Sequence, residues 1–157
     1  MPDMKISEIL GANPLFHGLA PEHLAFLARC SRPESLRRNA ILFHENQPAR
    51  TFYLLRSGRI TVEVPAIEGP AMHVQTLEPG EVVGWSWLIP PYRWNFQGRV
   101  EADTELIAFD GDLIRERCET DHDFGYRLVR DFAELMSRRL EAARLRLMAE
   151  WSPAGFA

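Results

Sequence analysis

The sequence predicts a mainly β fold with helical ends: an antiparallel β-roll of the jelly-roll type, preceded by short helices and followed by one long helix. Three observations carry this. Short apolar runs divided by turn residues crowd residues 35–110, a helical period precedes them, and residues 126–151 contain neither glycine nor proline.

At the N-terminal end, "ISEILGANPLFHGLAPEHLAFLARC" places Leu19, Leu24, Leu27 and Ala28 at helical spacing, and the proline of "APEH" suits a first helical turn. Short helices are expected around 5–11 and 21–30. From Ser35 the pattern turns to strands: "AILFHE", "TFYLLRSG", "RITVEVP", "MHVQTLEPG", "EVVGW", "FQGRVEA" and "ELIAFD". Close spacing of this kind predicts a roll of about eight strands. Ser57-Gly58 is a two-residue turn signal between alternating runs, which predicts a hairpin pairing 51–56 with 59–64.

After Phe109 the period becomes helical again. A helix of about 25 residues, some 37 Å long, is expected from 126 to 151. Along it Val129, Phe132, Met136, Leu140, Ala143, Leu147 and Trp151 recur at steps of three or four. A helix of that length outreaches a small roll, so its distal half is expected to pair with a second copy, making a homodimer along Val129, Phe132, Met136, Leu140 and Leu147. The organisation expected is a roll with its N-terminal helices over 1–120, a dimerisation helix over 121–151, and a tail over 152–157.

Bulk properties narrow the function classes. A chain of 157 residues fits one domain, or one domain with an appended helix, and can bury a core without disulfide or metal staples. Its 22 acidic residues outnumber its 18 basic ones, for a formal charge of −4. That balance argues against a phosphate-neutralising surface, and nucleic acid is not the expected partner. Cys30 and Cys118 have no metal-ligand or redox spacing and read as buried free thiols. The start of the chain lacks the apolar run of a secretory signal, and no segment approaches the ~20 apolar residues of a membrane span, so a cytoplasmic location without membrane contact is expected.

Catalytic chemistry finds little support. The five histidines, at 17, 23, 44, 73 and 122, are isolated from one another, unlike the clustered ligands of a cupin-type metal roll. No nucleophile elbow, phosphate-binding loop or Cys/His pair is present, and Ser86 has no base near it in sequence. No catalytic residue, metal ligand or resident cofactor is assigned.

One segment stands apart. "GEVVGWSWLIPPYRWN", residues 80–95, carries three tryptophans, a tyrosine, an arginine and two consecutive prolines. So much aromatic area with polar tips belongs in a pocket or at an interface. Together with "NPLFHGLAPEHLAFLA" and "AILFHENQPARTFYLLRSGRITVEV", the run "LEPGEVVGW" resembles, over about 14–148, the cyclic nucleotide-binding domain of the catabolite activator (Crp/Fnr-like) family, where it stands at the entry to the phosphate-binding cassette.

That resemblance implies a regulatory, ligand-sensing module. In the family's cassette a glycine lets backbone N–H groups approach the cyclic phosphate, a glutamate takes the ribose hydroxyl and an arginine pairs with the phosphate. Gly84 matches the glycine. Trp85 stands where the glutamate is expected, and an indole cannot accept a hydroxyl proton. Counting back from "TELIAF" puts Trp94 at the arginine position, with Arg93 one residue away: on a regular strand it faces the other side, whereas an intervening loop of different length would restore it as the phosphate partner. The candidate ligand-binding set is therefore Gly84, Trp85, Ser86, Arg93, Trp94 and Asn95, with Trp87 and Tyr92 as further aromatic lining. Three readings remain open: a cyclic nucleotide, a different small ligand that could be anionic, and a closed surface for a protein partner. The family's transcription factors continue past the long helix into a winged helix-turn-helix. Here "SPAGFA" follows Trp151, so no direct DNA binding is expected.

Overall fold

A computed structural model describes residues 2–150, with side chains from residue 6 onward. Trp151 and the 152–157 tail lie outside the described residues. The elements in chain order are α1 (Pro2–Ala12), α2 (Pro21–Arg29), β1 (Ser31–Leu36), β2 (Ile41–Phe43), β3 (Thr51–Val64), β4 (Met72–Leu77), β5 (Val82–Val83), β6 (Gln97–Asp110), α3 (Gly111–Thr120) and α4 (His122–Glu150). The described residues thus hold six antiparallel strands rather than about eight, between helices at both ends.

Two 14-residue strands organise the roll. β3 and β6 pair with each other from Thr51↔Asp110 to Glu63↔Gln97. Each short strand then attaches to one half of a long one: β1 to residues 104–109 of β6, β2 to its start, β5 to residues 53–54 of β3, and β4 to residues 60–64. The long pair bends where its register shifts, between Leu55 and Ile60. Gly58 sits in that bend with φ +92°. A Cβ there would collide with Thr104 Oγ1 and stand 2.7 Å from the Asp103 carbonyl oxygen, so only glycine fits. This corrects the hairpin expectation: Ser57-Gly58 is a bulged bend inside one continuous strand, and 51–56 and 59–64 both pair with β6 instead of with each other. Strand β1 was not expected, because "SRPESL" has only half-buried and exposed positions and reads as polar.

An aromatic cluster fastens the roll to the helices. Phe52 of β3 stacks on Phe109 of β6 at 4.6 Å and on Trp87 at 4.8 Å, and Phe132 of α4 meets Phe52 and Trp87 edge-on, each at 5.2 Å. Phe16 from the N-terminal segment approaches Phe52, Phe109 and Phe132. These rings are fully buried. Phe132 therefore belongs to its own domain's core, which removes it from the expected dimer stripe. Along α4 the buried positions Phe124, Leu128, Phe132, Leu135 and Arg139 recur at steps of three or four, whereas Leu140, Leu147 and Met148 are 71%, 62% and 55% exposed. Helix α3 starts at Asp110, whose carboxylate accepts from the Leu113 N–H at 3.2 Å. Asp121 accepts from the Phe124 N–H in the same way at the start of α4.

Candidate functional site

The segment 80–95 leaves the sheet at β5 and returns beside residues 46–49. Gly84 makes the exit with φ +99°, the backbone turns through a Leu88 N–H to Trp85 carbonyl bond, and Tyr92 takes φ +57° before the return. The return is laddered: the Ala49 N–H donates to the Tyr92 carbonyl, the Trp94 N–H to the Gln47 carbonyl and the Asn46 N–H to the Trp94 carbonyl. Side chains of an extended segment alternate in direction, which sends Trp94 inward and Arg93 and Asn95 outward.

Trp94 lies flat on Phe43, ring centroids 3.9 Å apart, and its far edge covers Gly84. A Cβ on Gly84 would stand 2.7 Å from Trp94 Cη2. The glycine is thus required twice, by its backbone angle and by the indole above it. Trp85 is half-buried and meets Phe96 edge-on at 6.5 Å. Ser86 is buried beside it.

Gly84, Trp85, Ser86 and Trp94 form one wall of a pocket of about 170 Å³ between the roll and α4. Val74, Gln75 and Phe96 extend that wall, and Met136, Arg139, Leu140 and Ala143 of α4 close the opposite side. Arg139 is 6% exposed. Its Nη2 donates to the carbonyl of Val82 on β5, and its guanidinium stands 6.0 Å from the Trp85 ring centre. Burial pushes the Arg139 pKa down to about 10, with Glu81 acting in the opposite direction.

Other expected members fall elsewhere. Arg93 donates from Nη1 to the Asn46 carbonyl at 2.7 Å and lines a separate polar cleft with Arg50, Tyr92, Asp112 and Arg115. In that cleft Arg115 lies 4.0 Å over the Tyr92 ring and donates to the Trp87 carbonyl and to Asp112. Asn95 is exposed and Trp87 is in the core. Arg93, Asn95, Trp87 and Tyr92 are accordingly not part of the Gly84 pocket. Sequence reasoning missed Arg139, although its place after Leu128, Phe132 and Leu135 on the buried stripe of α4 was a readable signal.

The cyclic nucleotide-binding domain family matches residues 33–121. The chain belongs to that family. Among relatives, the "Cyclic AMP receptor protein" of Thermus thermophilus is 29% identical over 139 residues, which cover 86% of this chain and 61% of that protein. The "Acetyltransferase Pat" of Mycolicibacterium smegmatis is 36% identical over 75 residues, covering 48% of this chain and 22% of that enzyme. Among solved structures, a candidate cyclic nucleotide-binding protein of Geobacter metallireducens GS-15 superposes with a TM-score of 0.78 at 26% identity, covering 85% of this chain and 97% of that one. The chain thus spans about three fifths of the receptor and about a fifth of the acetyltransferase. The fold is that of a ligand-sensing regulatory domain, with the pocket under its long helix. Among the described residues, no helix is long and apolar enough to cross a membrane.

Proposed function

We propose that the chain is a ligand-sensing regulatory module that does not take cyclic AMP in the family's usual manner and that signals through α4 as a homodimer. The observation that carries the first part is Trp94 stacked on Phe43 over Gly84. The indole occupies the space above the one glycine whose N–H groups would face a phosphate. Trp85, at the ribose position, has no acceptor to offer. Losing a buried, ion-paired phosphate contact costs on the order of 2–5 kcal/mol, about 30- to several-thousand-fold in affinity. Arg93 does not compensate, since it is turned to the opposite side and bonded to Asn46.

The pocket's two walls belong to different elements, the roll and α4, so a ligand held between them bears on the position of the helix. The signal would pass through the 121–151 segment, whose first half shares the roll's core. Support for the homodimer comes from a stripe along α4 that borders the pocket and keeps at least part of its surface exposed: Val129, Ala133, Met136, Leu140, Ala143 and Leu147 follow one another at steps of four and three, the 3.5-residue period of a two-helix seam. The same face of a second copy would cover them in an isologous contact. A protein partner acting downstream completes this reading.

The test is titration of the chain with cyclic AMP while tryptophan fluorescence is followed. No saturation below the micromolar range is expected. Sub-micromolar binding would overturn the reading of Trp85 and Trp94.

A further inference from the structure

We propose that the pocket between the roll and α4 takes a small aromatic carboxylate, with Arg139 as the partner of the anionic group. This rests on the sensor reading above and adds the chemistry of the ligand. Size is the first argument. The pocket holds about 170 Å³, close to the ~150 Å³ of an apolar cavity that admits a single benzene ring. One ring with a short acid side chain fits that space.

The walls are the second argument. Trp85, Trp94 and Phe96 present ring faces and edges from the roll, and Met136 and Leu140 close the space from α4. Such surroundings reward a flat aromatic guest through offset and edge contacts as well as through burial.

Charge is the third. Arg139 is the one charged residue lining the pocket among the described residues. It is 94% buried by its 6% exposure, yet no carboxylate among the described residues stands within ion-pair distance of it. Glu81 acts on it only at longer range and does not line this pocket. A guanidinium has five N–H donors, and the bonded partner here is one backbone carbonyl, that of Val82. A buried cation beside apolar walls, with donors in excess of its acceptors, is completed by an anion. Ser86 lines the same pocket and carries a hydroxyl that can serve as one more donor. One guanidinium and one hydroxyl can serve the two oxygens of a monoanionic carboxylate.

The experiment is calorimetric titration of the full chain with phenylacetate, its neutral counterpart phenylacetamide, and cyclic AMP. Phenylacetate should bind about 10- to 100-fold tighter than the amide, the ratio of a charge-assisted contact to a neutral one. Arg139→Met should reduce that ratio to about one while retaining the amide's affinity. The parent comparison needs no variant. If Arg139→Met does not fold, Arg139→Lys, which keeps the charge and loses the fork, should weaken the acid and spare the amide. Equal binding of acid and amide by the parent overturns the charge assignment and leaves the sensor pocket standing. Binding of none of the three overturns this inference alone. Tight binding of cyclic AMP with none of phenylacetate overturns both this inference and the reading it rests on.

Discussion

The indole of Trp94 roofs Gly84 so closely that a methyl group on the glycine would stand 2.7 Å from its Cη2 atom. Gly84→Ala therefore meets two penalties, a left-handed backbone angle of +99° and a clash with a ring already stacked on Phe43. A loss of about 2–4 kcal/mol is expected. Gly80→Ala is the matched control: its φ is +93°, but no atom lies within 4 Å of an added Cβ, so only the backbone term, about 1–2 kcal/mol, should appear. Urea denaturation of the two variants checks the difference.

Two apolar residues of α4 should behave oppositely. Phe132 is fully buried against Phe52 and Trp87, so Phe132→Ala should cost about 3–5 kcal/mol of fold stability. Leu140 is 71% exposed. Leu140→Asp should leave the secondary structure and the roll intact while lowering the mass seen by light scattering from dimer to monomer. An unchanged mass would remove that stripe of α4 as the dimer seam.

Glu63 is a buried carboxylate on β3 held by Arg99 at 3.1 Å and by Gln97 at 2.8 Å. Arg99→Ala leaves that charge with one neutral partner. Because Arg99 itself is about a third exposed, the full cost of breaking a buried pair is discounted to about 1–3 kcal/mol. Glu63→Leu should cost less, since Arg99 keeps Glu101 at 3.0 Å. Thermal melts of both variants provide the ranking.

Cys118 should be slow to alkylate. Burial, with Glu119 and Asp121 nearby, pushes its pKa up to about 11, so at about pH 8 only about one thiol in a thousand is ionised. Burial also raises the Cys30 thiol. The sign follows directly. The folded state holds the Cys118 proton more tightly than the unfolded chain, so this contribution is present below the ordinary thiol value and is lost as pH rises through about 11. Iodoacetamide labelling followed by mass spectrometry should accelerate steeply only above about pH 10, and rapid labelling at about pH 8 would contradict it.

The roll was legible because alternating apolar runs and the glycine-free helix have strong periods, and both appear. The bend at Gly58 was not, since a glycine with positive φ serves a hairpin and a bulge equally well, and only the pairing of both halves with β6 tells them apart. Strand β1 hid behind Pro33 and its charged neighbours, which suit an edge. Gly84, Trp85, Ser86 and Trp94 were grouped from local sequence because they share one short segment, and they line one pocket. Arg139 lies 53 residues beyond Ser86 and meets it only through the docking of α4, so no local pattern joins them.

Arg139 and Leu140 are consecutive residues on α4, about 100° apart around its axis, one reaching inward to Val82 and the other at the pocket rim, largely exposed. The helix is gripped from Phe124 to Arg139 and free of the roll's core beyond it. Beyond Arg139 an arm of 11 residues runs on to Glu150, about 17 Å. A tilt of about 10° at Arg139 carries the tip through about 3 Å, more than half a helical turn. In the proposed homodimer, a small adjustment around a guest in the pocket would arrive at the far end of the arm as a displacement large enough to change which residues of the two copies meet.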